Sequence, residues 1–98
     1  MSLELRYLVL AFDSTYALMA AERELKAKGL ATQLAPLPSQ IDASCGFCIR
    51  LELPDEIAQR EFILEAAKAI ACDGLWAVRQ GASWKEREYS RIVTTGPA

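Results

Sequence analysis

Leu5 to Phe12 is an apolar run interrupted only by Arg6, and both of its alternating faces are apolar: Tyr7, Val9 and Ala11 on one, Leu8, Leu10 and Phe12 on the other. A strand that is apolar on both faces has to be covered on both, so this segment reads as a central strand. Polar Asp13-Ser14-Thr15 bounds it and supplies a helix cap, because Asp13 or Ser14 can accept a hydrogen bond from a first-turn N–H. Ala17, Leu18, Ala21 and Leu25 then recur at helical spacing, with Glu22–Lys26 and Glu24–Lys28 as i,i+4 pairs on the other face. Gly29 ends that helix.

Leu30 to Ala35 predicts a second strand, stopped by Pro36 and Pro38, which carry no N–H. A loop from Leu37 to Gly46 follows. Phe47, Ile49, Leu51 and Leu53 alternate with Cys48, Arg50 and Glu52, the period of a third, half-buried strand. Pro54-Asp55 starts a second helix to about Cys72, with Ile57, Ile63, Leu64, Ala67, Ile70 and Ala71 inward; Asp73-Gly74 stops it, and Leu75 to Arg79 is a fourth strand. The order predicts an α+β, ferredoxin-like βαββαβ sandwich, an antiparallel sheet with two helices on one face. Residues 1–80 form that domain. Residues 81–98 form a C-terminal extension, in which Trp84, Tyr89, Ile92 and Val93 need burial, either on an open sheet face beside Leu8 and Leu10 or on a partner subunit in a homodimer. With right-handed crossovers, strands one and three are antiparallel neighbours, which brings Asp13-Ser14-Thr15 beside Ser44-Cys45-Gly46.

Composition removes several function classes. The chain has no His, so no Ser–His or Cys–His pair and no His-ligated zinc site can form within it. Eleven basic against 13 acidic residues, a net charge of −2, give no basic footprint for nucleic acid. No Gly-rich phosphate loop or other cofactor motif is present, so neither cofactor nor metal is expected, and turnover enzymology is not expected. The first residues lack a secretory pattern, and the apolar run is far below the ~20 residues that span a bilayer. The expectation is a cytoplasmic protein without a membrane partner, its three Cys free thiols.

Ser44-Cys45-Gly46 is the most suggestive local feature. A thiol in an exposed glycine-containing turn is accessible, Gly46 lets backbone N–H groups approach the sulfur, and a helix N-terminus aimed at it would favour the thiolate. The competing reading is a small residue tucked under the loop. Cys48 makes a C-x-x-C pair with Cys45, a possible resolving thiol for disulfide chemistry. However, a strand sends side chains to alternate faces, which makes closure harder, and one such pair gives too few ligands for zinc. Arg50 shares the outward face with Cys48 and is available to stabilise a sulfur anion. Ser14 and Thr15 are capping residues first and hydrogen-bond donors to Cys45 second. Asp42 would oppose a nearby thiolate. Cys72 reads as core.

Phe12-x-Ser14-Thr15, Ala21-Glu22, Leu25, Gly29, Leu34, Arg50 and above all the eleven-residue stretch Pro36-Leu37-Pro38-Ser39-Gln40-Ile41-Asp42-Ala43-Ser44-Cys45-Gly46 resemble the small bacterial "putative Se/S carrier protein-like" family. The resemblance spans about residues 6–79; Cys48 and the tail beyond Gly81 depart from its pattern. It implies that Cys45 holds sulfur or selenium as a persulfide or selenopersulfide, received from a donor protein and passed to an acceptor. The alternative is a ferredoxin-like protein-interaction or regulatory module whose thiols are incidental. A thiol–disulfide oxidoreductase using Cys45 and Cys48 is the third reading.

Overall fold

The computed structural model describes residues 3–83 and 85–92, so the expectations for Trp84 and Val93 lie outside the described residues. Its elements run β1 (Glu4–Ala11), α1 (Thr15–Ala27), β2 (Gln33–Pro36), β3 (Phe47–Glu52), α2 (Ile57–Lys68), β4 (Gly74–Gln80) and β5 (Arg87–Ile92). The five strands form one sheet in the order β2-β3-β1-β4-β5, with every neighbouring pair antiparallel. The doubly apolar β1 is central, and β3 is its neighbour, with Leu10 opposite Ile49 and Leu8 opposite Leu51. β1 pairs with β4 on its other side, with a register shift between Leu5 and Tyr7.

The two faces of β1 serve two apolar clusters. Leu8, Leu10 and Phe12 pack with Leu18, Ala21 and Leu25 of α1, Ala66 and Ala67 of α2, Ile49 and Leu51 of β3 and Leu75 of β4. Both helices therefore lie on the Leu8/Leu10 face, which is not the open one. The open face carries Tyr7, Val9, Ala11, Cys48 and Val78, and Ile41 from the 37–46 loop folds over it. The described part of the tail, residues 81–83 and 85–92, does not cover a face as a lid. Residues 87–92 instead extend the sheet edgewise along β4, Trp76 opposite Arg91 and Val78 opposite Tyr89. Alternation then sends Tyr89 to the open-face cluster and Ile92 to the helix-face cluster.

Element ends shift for local reasons. Ser14 caps α1, its Oγ accepting from Ala17 N–H at 3.1 Å. Gly29, with φ of 84°, closes α1: Gly29 N–H donates to Lys26 C=O and Leu30 N–H to Leu25 C=O, the paired bonds of a Schellman ending. Leu30 is thus spent on the cap, and β2 starts at Gln33 rather than at Leu30. The second helix is shorter than its sequence pattern at both ends. Glu56 is still extended (φ −70°, ψ 125°), so Ile57 is the first helical residue and is 71% exposed. The helix closes at Ala69, which leaves Ala71 exposed and Cys72 outside it, partly buried against the core. Phe47, expected inward, is 55% exposed, because it opens β3 beside the short edge strand β2.

Removing the Ser14 acceptor leaves an unpaired N–H at the start of α1. Ser14→Ala should lower stability by about 1 kcal/mol, read from the urea midpoint, and Ser14→Asp should restore most of it. No change in Ser14→Ala would mean that solvent satisfies the Ala17 N–H equally well.

Candidate functional site

The C-terminal end of β1 is where the connecting segments converge. A strand end has carbonyls without ladder partners, and here Phe12 C=O accepts from Cys45 N–H at 3.1 Å and Ala11 C=O from Asp73 N–H at 2.8 Å. The first bond ties the 37–46 loop to the residue that follows β1. Thr15, the first residue of α1, then places its Oγ1 3.7 Å from Cys45 Sγ. This is the juxtaposition expected from strands one and three being neighbours, and it joins residues thirty positions apart. The sulfur sits beside a helix N-terminus, where free N–H groups concentrate positive potential.

The exposure of this thiol is a correction. Cys45 is 4% exposed and packs in the helix-face cluster with Phe12, Leu18 and Ile49; its flanking residues Ser44 and Gly46 are the ones at the surface. The reason is the hydrogen bond to Phe12, which draws the peptide of Cys45 inward while Ile41 anchors the other end of the loop over the open face. Leu37 N–H donates to Gly46 C=O at 3.0 Å and closes the loop's neck. Gly46 is not there for steric reasons: a Cβ added to it would meet nothing within 4 Å. Ser14 is taken up by its cap, and Ser44 and Asp42 are exposed.

Cys48 belongs to the other face. It lies 1% exposed among Tyr7, Val9 and Ala11, its Sγ–H donating to Pro36 C=O at 3.8 Å. The two thiols of the C-x-x-C pair therefore sit in different clusters on opposite sides of the sheet, because β3 begins between them and alternation carries Cys48 away. All three cysteines are free thiols. Arg50 follows Cys48 to the open face, so it does not attend Cys45. Its guanidinium stacks 3.7 Å over the Tyr7 ring and is held by Glu52 Oε1 at 2.7 and 3.1 Å. Among the described residues no three His, Cys, Asp or Glu side chains gather where a metal ion would sit.

What the sequence did not signal is the role of the Phe12 carbonyl and of Ile41. A backbone acceptor carries no side-chain signature, and Ile41 stood out only as one position of a motif.

Burial raises the Cys48 thiol above the ordinary thiol range; Arg50 pulls the other way and Cys45 adds slightly to the rise. Burial likewise raises Cys72, and burial and then the charge and hydrogen bond of neighbouring Tyr89 raise the Tyr7 phenol, against the pull of Arg87 and Arg50. In each case the folded protein keeps its proton to higher pH than the unfolded chain. Below the unfolded values, ~8.5 for thiols and ~10 for phenols, both states are protonated and this stability is fully present; it is lost as pH rises through the folded values. The urea midpoint should therefore hold to about pH 8 and fall above it, less steeply in Cys48→Ala. A midpoint that is flat or rising at alkaline pH would contradict the burial of these groups.

The family model described as "Putative Se/S carrier protein-like" matches residues 7–76, and the chain belongs to that family. No curated protein and no solved structure matches it. The matched span runs from the middle of β1 into β4 and so contains the Cys45 loop, the start of α1 and both helices. None of the helices among the described residues is long and apolar enough to cross a membrane.

Proposed function

Proceeding from that family membership, we propose that the protein carries sulfur or selenium on Cys45, taking it from a donor protein and handing it to an acceptor, without catalysing a turnover reaction of its own. The observation that supports this most is the meeting of the family's loop with the first turn of α1 at the Cys45 sulfur. The Cys45 thiolate attacks the outer sulfur of a donor persulfide: the new S–S bond forms as the donor's S–S bond breaks, and the donor leaves as a thiolate. Delivery is the same exchange in reverse, so neither step needs an outside oxidant or reductant. Selenium takes the place of the outer sulfur in a selenopersulfide. The first four strands and two helices are read as the ferredoxin-like unit, with β5 added at its edge.

Burial shapes this reading. A thiol at 4% exposure is sheltered rather than presented, so exchange requires the 37–46 loop to lift, breaking the Cys45–Phe12 bond and opening the Leu37–Gly46 neck. Such a local opening needs less free energy than global unfolding. Alkylation of the native protein, followed residue by residue by mass spectrometry across low urea, tests it. Cys45 should react by a route nearly independent of urea, the mark of local opening. Reaction only in parallel with global unfolding would reject a carrier thiol.

That same burial is the observation favouring the second reading, a protein-interaction module with incidental thiols. It predicts that Cys45→Ser keeps every interaction of the protein intact.

A further inference from the structure

Four of the six large hydrophobic side chains that stand exposed among the described residues gather on the side of the fold that covers Cys45: Tyr16, Met19, Leu34 and Phe47. Three elements put them there. Thr15 meets the Cys45 sulfur, and Met19 follows it by one turn on the same side of α1, with Tyr16 three positions before Met19. Leu34 pairs with Ile49 and so stands on the helix face; Phe47, two residues before Ile49 on β3, stands on that face too. Ile49 and Cys45 are buried in one cluster with Leu18, the neighbour of Met19. The sheet thus contributes Leu34 and Phe47, and the helix Met19, to one exposed border around the buried thiol. Scattered singly, exposed apolar side chains are ordinary; gathered in one place they mark a contact surface, and Met and aromatic residues are enriched in such surfaces.

The charges around this border have one sign. Neither residues 11–22 nor residues 37–47 contain a Lys or Arg, while they carry Asp13, Glu22 and Asp42. Glu22 is answered by Lys26 at 3.6 Å. Asp13 and Asp42 are exposed, and neither forms an ion pair or hydrogen bond among the described residues. Asp13 adjoins Phe12, whose carbonyl holds the Cys45 N–H, and Asp42 is three positions before Cys45. The first cation of α1 is Arg23, about 12 Å along the axis from Thr15. Asp73 also reaches this end of β1, but Arg91 lies beside it, its Nη2 donating to the Asp73 carbonyl. The field over Cys45 is therefore negative, and Asp13 and Asp42 oppose formation of its thiolate. A cation brought by a partner would offset that repulsion at the moment of exchange, and complementary charge speeds encounter and selects among partners.

We infer that Met19, Leu34 and Phe47, flanked by Asp13 and Asp42, form the surface on which a sulfur donor or acceptor protein docks, and that the docking segment of that partner carries an apolar side chain and a Lys or Arg beside its sulfur. The inference rests on the carrier reading of Cys45 and names the chemistry of its partner. Three short peptides test it, Lys-Leu-Cys-Phe-Lys, Glu-Leu-Cys-Phe-Glu and Lys-Ala-Cys-Ala-Lys, each as its 2-pyridyl disulfide. The Cys45 thiolate bonds to the peptide sulfur as pyridine-2-thiolate leaves, so no outside oxidant enters. Coupling is followed at each cysteine by mass spectrometry, where the rate is proportional to peptide concentration. Each rate is divided by that of the same peptide with free cysteine, which removes differences in intrinsic reactivity. At low salt the basic apolar peptide should couple to Cys45 about tenfold faster than the acidic one, and high salt should shrink the difference. It should also exceed the basic Ala peptide by about threefold or more. Phe47→Ser, at an exposed position, should remove the apolar advantage, and Asp13→Asn with Asp42→Asn the charge advantage. Equal rates for the three peptides, a preference for the acidic one, or preferences that these variants leave unchanged would overturn the docking inference while the carrier reading stands. A Cys45 that reacts with none of the peptides in the folded protein rejects the carrier reading, and this inference with it. A dimer in sedimentation equilibrium that Phe47→Ser returns to monomer would give the surface to a second copy of the chain and overturn the inference as well.

Discussion

Phe12→Ala should cost about 3–5 kcal/mol, a large part of the roughly 5–15 kcal/mol that holds a domain of this size together. Phe12 is 1% exposed and is the first of the largest fully buried side chains in the protein. It lies just past the end of the central strand and packs in the cluster shared by both helices and Cys45. Its removal leaves a cavity that neither the strand, fixed by ladders on both sides, nor the two helices can readily close. Urea unfolding measures the cost directly. Where the variant stays folded, the loss of packing next to the loop should also speed alkylation of Cys45. A cost under about 1 kcal/mol would mean that the end of β1 is not packed as described.

The second large effect is chemical. Cys45→Ser should reduce sulfur loading from a persulfide donor to background, whereas Cys48→Ser and Cys72→Ser should keep it. The distinction follows from position: Cys48 is sealed on the opposite face against Pro36 C=O, and Cys72 lies beyond the end of α2 with no match to the motif. A buried hydroxyl in place of the thiol costs about 1–3 kcal/mol where it lacks a good partner. Thr15 Oγ1 at 3.7 Å is too far for a normal O–H···O bond without a shift. Cys45→Ala therefore accompanies Cys45→Ser, so that loss of loading can be separated from loss of fold by the urea midpoint. Loading that survives in both variants would remove Cys45 from the function.

Much of this arrangement was legible in the residues. The doubly apolar run announced a central strand, Ser14 and Gly29 marked both ends of α1, and the adjacency of strands one and three brought Thr15 to Cys45. Periodicity says that strand one is covered on both faces but not by what, and the face of Leu8 and Leu10, expected to be the open one, lies under the helices. A polar, glycine-containing turn suggested an exposed thiol, yet one backbone bond to Phe12 turns Cys45 inward, and no side chain encodes that bond. The tail carried too weak an alternation to choose strand or helix; pairing along the free edge of β4 decided it.

The most direct test of the carrier account is delivery. The protein is loaded with a low-molecular-weight persulfide, freed of donor, mixed with an excess of a thiol acceptor, and followed by mass spectrometry at each cysteine. The account predicts one added sulfur on Cys45 after loading, and its loss from Cys45 in step with its appearance on the acceptor. Sulfur that never reaches Cys45 in the folded protein, or that reaches it and cannot be passed on, would contradict the account.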